Sequence, residues 1–181
     1  MRELLRCLNA LVLCPLIFVG CAGHIFSPET LHGVDRNFDF ARWRLLPNQT
    51  QPTRIELGGR ILRSQSINAS VVILTAQLPI VRYPAYGPKQ GKSQGEFVIT
   101  YHGPVNEPFL HPGNRIMVVG TTHGTTLFSV DDVIRNFPSL EAQCIHIWKT
   151  GTTDIADFTS SGAGYAVLEE ETFCTLDPDV Q

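Results

Sequence analysis

Short β-branched runs, cut by glycine and proline, constrain this chain more than any other feature. Five of them recur: Arg54–Arg63, Ser70–Leu78, Glu96–Tyr101, Arg115–His123 and Gln143–Lys149. Runs of this length bounded by turn residues read as strands. Gly58 and Gly59 interrupt the first and Gly120 the fourth. Glycines inside a strand mark a bulge or bend, which a small barrel needs where a strand turns a corner. Pro79 stops the second run, and the Pro-, Gly- and Tyr-rich stretch Arg82–Gln94 reads as a loop. His102–Pro112 reads as a second connection, held open by Pro104, Pro108 and Pro112. In the last run Cys144, His146 and Trp148 alternate with Ile145 and Ile147, so the two sets take opposite faces.

Two helices are predicted around these strands. Asn37 is a plausible cap for Phe38–Leu46, which Pro47 ends. Between the fourth and fifth runs, Ser129 and Asp132 have capping-box spacing. Val130, Val133, Ile134 and Phe137 there fall at i, i+3, i+4 and i+7, which predicts a helix over Ser129–Phe137. Beyond Gly151 the chain is Thr-, Ser- and Gly-rich and reads as flexible, with a short strand near Tyr165–Leu168. The expected fold is mainly all-β: a small five-stranded OB-like barrel with one or two short helices, an N-terminal signal helix and a flexible acidic C-terminal tail. Barrel closure removes the exposed edges that invite aggregation.

The N-terminus carries an export signal. Arg2 and Arg6 precede a largely apolar Leu8–Val19, and Gly20-Cys21 follows directly. A basic n-region, an apolar core and a small residue before the cut are the parts of a secretory signal. The apolar stretch is short for a membrane span, which needs about 20 residues, and it contains Pro15. Cleavage between Gly20 and Cys21 leaves Cys21 as the new N-terminus, free for acylation. The expected organisation is a signal peptide over 1–20, a tether over 21–34, a barrel domain over 35–150 and an acidic flexible tail over 151–181. Ala22 follows the cysteine where an Asp would favour inner-membrane retention. The expected location is therefore the outer membrane, lipid-anchored and facing the periplasm.

Charge and composition narrow the chemistry. Residues 150–181 hold seven acids and no Lys or Arg, whereas 21–149 hold twelve bases and nine acids. A mildly basic body with an acidic tail lacks the dense basic patch of a nucleic-acid binder. Phe97 and Tyr101 alternate on the third strand, but the sequence favours core packing for Phe97 and Trp148 over base stacking. His24, His32, His102, His111, His123 and His146 form no metal-ligand pair, so no metal and no cofactor is expected. Ser160–Gly164 lacks the Gly-x-Ser-x-Gly elbow, and no catalytic residue is assigned. Cys144 and Cys174 remain after export as an even pair. Both a disulfide and two free thiols stay open for them, because no spacing motif decides.

The order of short motifs from Val34 to Trp148 resembles the Slp family of starvation-inducible outer-membrane lipoproteins. The pieces are Val34-Asp35-Arg36, Leu57-Gly58-Gly59-Arg60-Ile61, Gln77-Leu78-Pro79 and Gly95-Glu96-Phe97. Glu107-Pro108, Pro112-Gly113-Asn114-Arg115, Val118-Val119-Gly120, Phe137-Pro138 and Ile145-His146-Ile147-Trp148 complete the order. The resemblance implies an OB-like barrel at the outer membrane and hands over no catalytic residue. The expected role is non-catalytic, in envelope structure or stress response, through a membrane-tethered barrel. The expected partners are the membrane, through the lipid anchor, and an unidentified envelope protein or small ligand. The alternative is a periplasmic binding module for a small ligand or oligosaccharide, using the face around Tyr83, Tyr86 and the His102–His111 loop.

Overall fold

A computed structural model describes residues 25–81, 86–89, 91–151 and 168–175. Five strands form the wall of a barrel: β1 (Arg54–Ile67), β2 (Ser70–Leu78), β5 (Glu96–His102), β6 (Arg115–Val130) and β7 (Val133–Trp148). A minor hairpin, β3 (Ile80–Val81) and β4 (Gly87–Pro88), lies between β2 and β5. A last strand, β8 (Glu170–Cys174), follows β7. The order is β5-β2-β1-β6-β7, and β5 closes the ring by pairing parallel with β7 over Val98–Tyr101 and Ser139–Ala142. All other neighbours in the wall are antiparallel. This closed ring is the expected OB-type barrel.

The interior follows from strand alternation. Ile55, Leu57, Ile61, Ile73, Phe97, Ile99, Ile116, Val118, Ile145 and Ile147 share one buried cluster. The adjacent strands β1 and β2 crowd together at Gly59, where an added Cβ would lie 2.8 Å from the Ala76 carbonyl oxygen. The register of β1 on β2 shifts between Ile61 and Arg63, and that of β6 on β7 between Val119 and Gly120. These bulges bend strands too long for a straight barrel.

One end of the interior is stoppered by α1 (Phe40–Leu45). Asp39 caps it by accepting the Arg42 N–H at 3.0 Å, so the helix starts two residues later than expected from Asn37. Its Phe40 and Trp43 reach the core and stack edge-on at 5.7 Å, with Phe97 5.8 Å from Phe40.

Three expectations are corrected. The helix predicted over Ser129–Phe137 is instead the tip of the β6–β7 hairpin. Asp131 and Asp132 both take positive φ, 50° and 62°, as the two central residues of a type I′ turn require. Val130 then lies directly opposite Val133, with Phe137 further down the same face, while Ile134 points the other way. A two-residue turn placed between alternating strands thus imitates helical spacing.

The free tether expected over 21–34 is corrected from Ile25 onward. Phe26 is buried, and Ile25, Leu31 and Val34 pack with it on Met117, Val119, Cys144 and Trp148, on the outside of β6 and β7. The flexible tail expected over 151–181 is corrected at 170–174. There β8 pairs with β7 from Cys144↔Cys174 to Trp148↔Glu170, and Phe173 meets Phe109 edge-on at 5.7 Å. The strand expected near Tyr165–Leu168 falls mostly outside the described residues, and Leu168 itself is not in a strand.

Candidate functional site

The long β6–β7 hairpin decides which surfaces are open. It leaves the wall and lies over the outer face of β1, β2 and β5. Phe128 and Phe137 bury against Leu74 and Val98, with Leu62, Val72 and Val130 around them. Arg63 of β1 pairs with Asp131 at the tip, but both are largely exposed, so the pair contributes about 0–1 kcal/mol. Burial of a Phe side chain is worth about 1.5–3 kcal/mol, so the two phenylalanines hold the hairpin down. In OB barrels the face of the second and third strands, flanked by the first and last hairpins, is the usual ligand face. Here its apolar part is covered by the chain itself. Phe97 and Tyr101, the candidate stacking residues, lie inside the barrel.

Next to the covered patch, His102 spans three strands. Its Nδ1 lies 2.7 Å from Ser70 Oγ on β2, and its Nε2 lies 3.3 Å from Glu141 Oε1 on β7. Serine, imidazole and carboxylate in series are the parts of a nucleophilic triad. The His102 and Glu141 side chains are both more than half exposed on a strand surface. Nucleophilic catalysis depends on a dry, pre-organised site, and this arrangement reads as a surface hydrogen-bond chain.

The other histidines do not join it. His32, His111 and His123 are exposed at separate places. His146 is buried on the outer face of β7, 4.2 Å from the Trp148 ring, with its Nδ1 2.6 Å from Thr172 Oγ1. Burial lowers its pKa below the ordinary histidine value, and Glu170, 3.6 Å from Nε2, partly opposes that. Among the described residues no three His, Cys, Asp or Glu side chains group to hold a metal ion.

A cleft of about 520 Å³ opens where the segment after Val34 crosses β1 and the end of β2. Its polar lining is Asp35, Arg36, Asp39, Glu56, Gln77 and Gln94. Asp35 accepts the Asn37 N–H at 2.9 Å, Asp39 caps α1, and Glu56 accepts the Tyr86 hydroxyl. Gly58 forms part of the floor, because an added Cβ would meet Ile80 Cγ1 at 3.0 Å and the Leu78 carbonyl oxygen at 3.1 Å. Sequence reasoning had no signal for this cleft, since its walls come from four separated segments. Of the ligand face expected around Tyr83, Tyr86 and His102–His111, Tyr86 comes near this cleft through Glu56, and Tyr83 lies outside the described residues.

Gly20 and Cys21 also lie outside the described residues, as do His24 and Ser160–Gly164. Cys144 and Cys174 are joined by a disulfide across β7 and β8, with Cα atoms 4.1 Å apart. Among the described residues no helix is long and apolar enough to cross a membrane.

These features define a small OB-type barrel with an added outer strand and with its own β6–β7 hairpin packed over the outer face of β2 and β5. The chain belongs to the outer membrane lipoprotein Slp family, whose sequence profile matches residues 18–168. It is thus a lipoprotein of the outer membrane. Nothing among curated proteins matches the chain. Two solved structures are similar over about half of it. The mitochondrial single-stranded DNA-binding protein of S. cerevisiae is 20% identical, covering 54% of this chain and 96% of its own, with a TM-score of 0.32. The small single-stranded DNA-binding protein of Streptomyces coelicolor is 13% identical, covering 53% and 94%, with a TM-score of 0.34.

Proposed function

We propose that the protein is cut between Gly20 and Cys21, acylated at Cys21, and held as a non-catalytic barrel on the periplasmic face of the outer membrane, in envelope structure or stress response. The observation that carries this reading is the family match, which begins at residue 18 and so takes in the Gly20-Cys21 step. The packing of Ile25–Val34 on the body supports a close tether. Three residues, Ala22 to His24, lie between the acylation site and Ile25, and the four residue steps from Cys21 to Ile25 span at most about 14 Å when extended. On this reading the barrel rides against the bilayer on a short leash. Several acyl chains anchor stably where one does not, so the barrel needs no membrane-binding surface of its own.

Membrane fractionation tests this. Wild-type protein should sediment with outer membranes, and a Cys21→Ser variant should move to the soluble periplasmic fraction. An unchanged membrane distribution of the variant would contradict the anchor.

The second reading is a binding module for a small ligand or oligosaccharide. The cleft beside Asp35 and Gln77 favours it, because its volume falls within the range of small-molecule sites, about 300–1,000 Å³.

A further inference from the structure

The two sulfurs of the disulfide are unequally placed. Cys144 lies on the outer face of β7 and is 2% exposed. Phe26, Ile25 and Leu31 of the N-terminal segment share its apolar cluster, and Thr30 Oγ1 lies 3.9 Å from its Sγ. Cys174 is exposed. It sits on β8, the last strand of the sheet, whose one neighbour among the described residues is β7.

Strand pairing sets the geometry between them. Lys149 N–H donates to the Glu169 carbonyl at 2.9 Å, and Thr175 N–H donates to the Gln143 carbonyl at 2.9 Å. Hydrogen-bonded and non-hydrogen-bonded pairs alternate along an antiparallel ladder. Cys144 and Cys174, one step in from Gln143 and Thr175, therefore form a non-hydrogen-bonded pair, where side chains stand closest. Contacts without sulfur also seat β8. His146 Nδ1 lies 2.6 Å from Thr172 Oγ1, and Phe173 meets Phe109 edge-on.

Thiol–disulfide exchange is a displacement at sulfur, and its rate depends on access to the sulfur involved. A buried structural cysteine is inert toward an outside reagent, and an exposed one is not.

We propose that Cys174 is the exchange cysteine of this protein: a thiol–disulfide oxidoreductase with an exposed Cys-x-x-Cys disulfide forms its mixed disulfide at Cys174, and Cys144 resolves it. In the first step the Cys174 thiol gives its proton to water, and its thiolate attacks one sulfur of the oxidoreductase disulfide. A bond forms between Cys174 Sγ and that sulfur, and the other sulfur leaves as a thiolate. In the second step Cys144 loses its proton, and its thiolate attacks Cys174 Sγ from across the strand pair. The Cys144–Cys174 bond forms, and the oxidoreductase sulfur leaves as a thiolate. Two thiols of this chain are oxidised, and the same two electrons reduce the oxidoreductase disulfide. Exchange is reversible, so an outside thiolate that opens the bridge also enters at Cys174. The assignment does not depend on acylation of Cys21.

The test uses residues 21–181 carrying Cys21→Ser, which keep every described residue and leave Cys144 and Cys174 as the sole cysteines. The reduced protein is pulsed with iodoacetamide, and the adduct at each cysteine is quantified by peptide mass. Cys174 should label at least about tenfold faster than Cys144 in native buffer, and the two should label about equally in guanidinium chloride. A second measurement traps the mixed disulfide. One catalytic domain of protein disulfide isomerase, lacking its second active-site cysteine and carrying thionitrobenzoate on the first, is mixed with each single-cysteine variant. Cys144→Ala, which keeps Cys174, should form the covalent complex, and Cys174→Ala should form at least about tenfold less. Equal labelling of the two cysteines in native buffer would overturn the proposal. So would faster labelling of Cys144, equal trapping of the two variants, or trapping of neither.

Discussion

Cys174 sits directly opposite Cys144 across the β7–β8 pair, so the disulfide ties the C-terminal strand to the barrel wall at one end of their five-residue register. On its other edge β7 pairs with β5 only as far as Ala142. Beyond it, β8 continues along the edge of β7, and Phe173 packs against the barrel core.

The bridge closes a loop with a sequence separation of 30, and loop closure of that length is worth about 3–4 kcal/mol in the chain-entropy account. Reduction, or a Cys144→Ala and Cys174→Ala pair, should lower Tm by roughly 10 °C for a domain of this size. Thermal melts with and without a dithiol reductant measure this. Equal melting temperatures would contradict a bridge that holds β8.

The hairpin tip should respond to its aromatic anchors and not to its ion pair. Phe128→Ala should cost about 3–5 kcal/mol, the range for buried Phe truncation. Arg63→Ala should cost less than about 1 kcal/mol, because that pair is exposed. Denaturant titration of both variants separates the two. A larger loss for Arg63→Ala would mean that charge pairing holds the hairpin.

Stability should fall in mild acid because of His146. Burial, the larger effect, lowers its pKa below the unfolded value, and Glu170 only partly opposes this. In the window between the folded and unfolded values the unfolded chain binds more protons, so stability rises with pH. The stabilisation is complete above the ordinary histidine range and is lost as pH falls through the folded value. A His146→Gln variant should flatten this part of the pH profile of unfolding. An undiminished slope would assign the acid sensitivity to other groups.

Much of the barrel was legible because its signals are local. Gly59 marks the close crossing of β1 and β2, and Ile145 and Ile147 take the interior while Cys144 and Trp148 take the outside, as alternation requires. The hairpin at Asp131-Asp132 was not legible, because Val130, Val133 and Phe137 satisfy a helical spacing equally well and only their φ values exclude it. Phe26 and Phe173 were hidden for a different reason. Each lies in a polar stretch and is ordered by tertiary contacts, on Met117 and Trp148 for one and on Phe109 for the other. The cleft joins Asp35, Glu56, Gln77 and Gln94 from separate parts of the chain, and no local pattern announces such a meeting. Cys21 is the reverse case, since the acylation proposed for it is argued from the sequence beside Gly20 and lies outside the described residues.

The central claim is that Cys21 is the acyl attachment site. The most direct test is the intact mass of protein purified from membranes, beside the Cys21→Ser variant. The account predicts a mature species beginning at Cys21 with added acyl mass, absent from the variant. An unacylated product cut elsewhere would contradict the anchor.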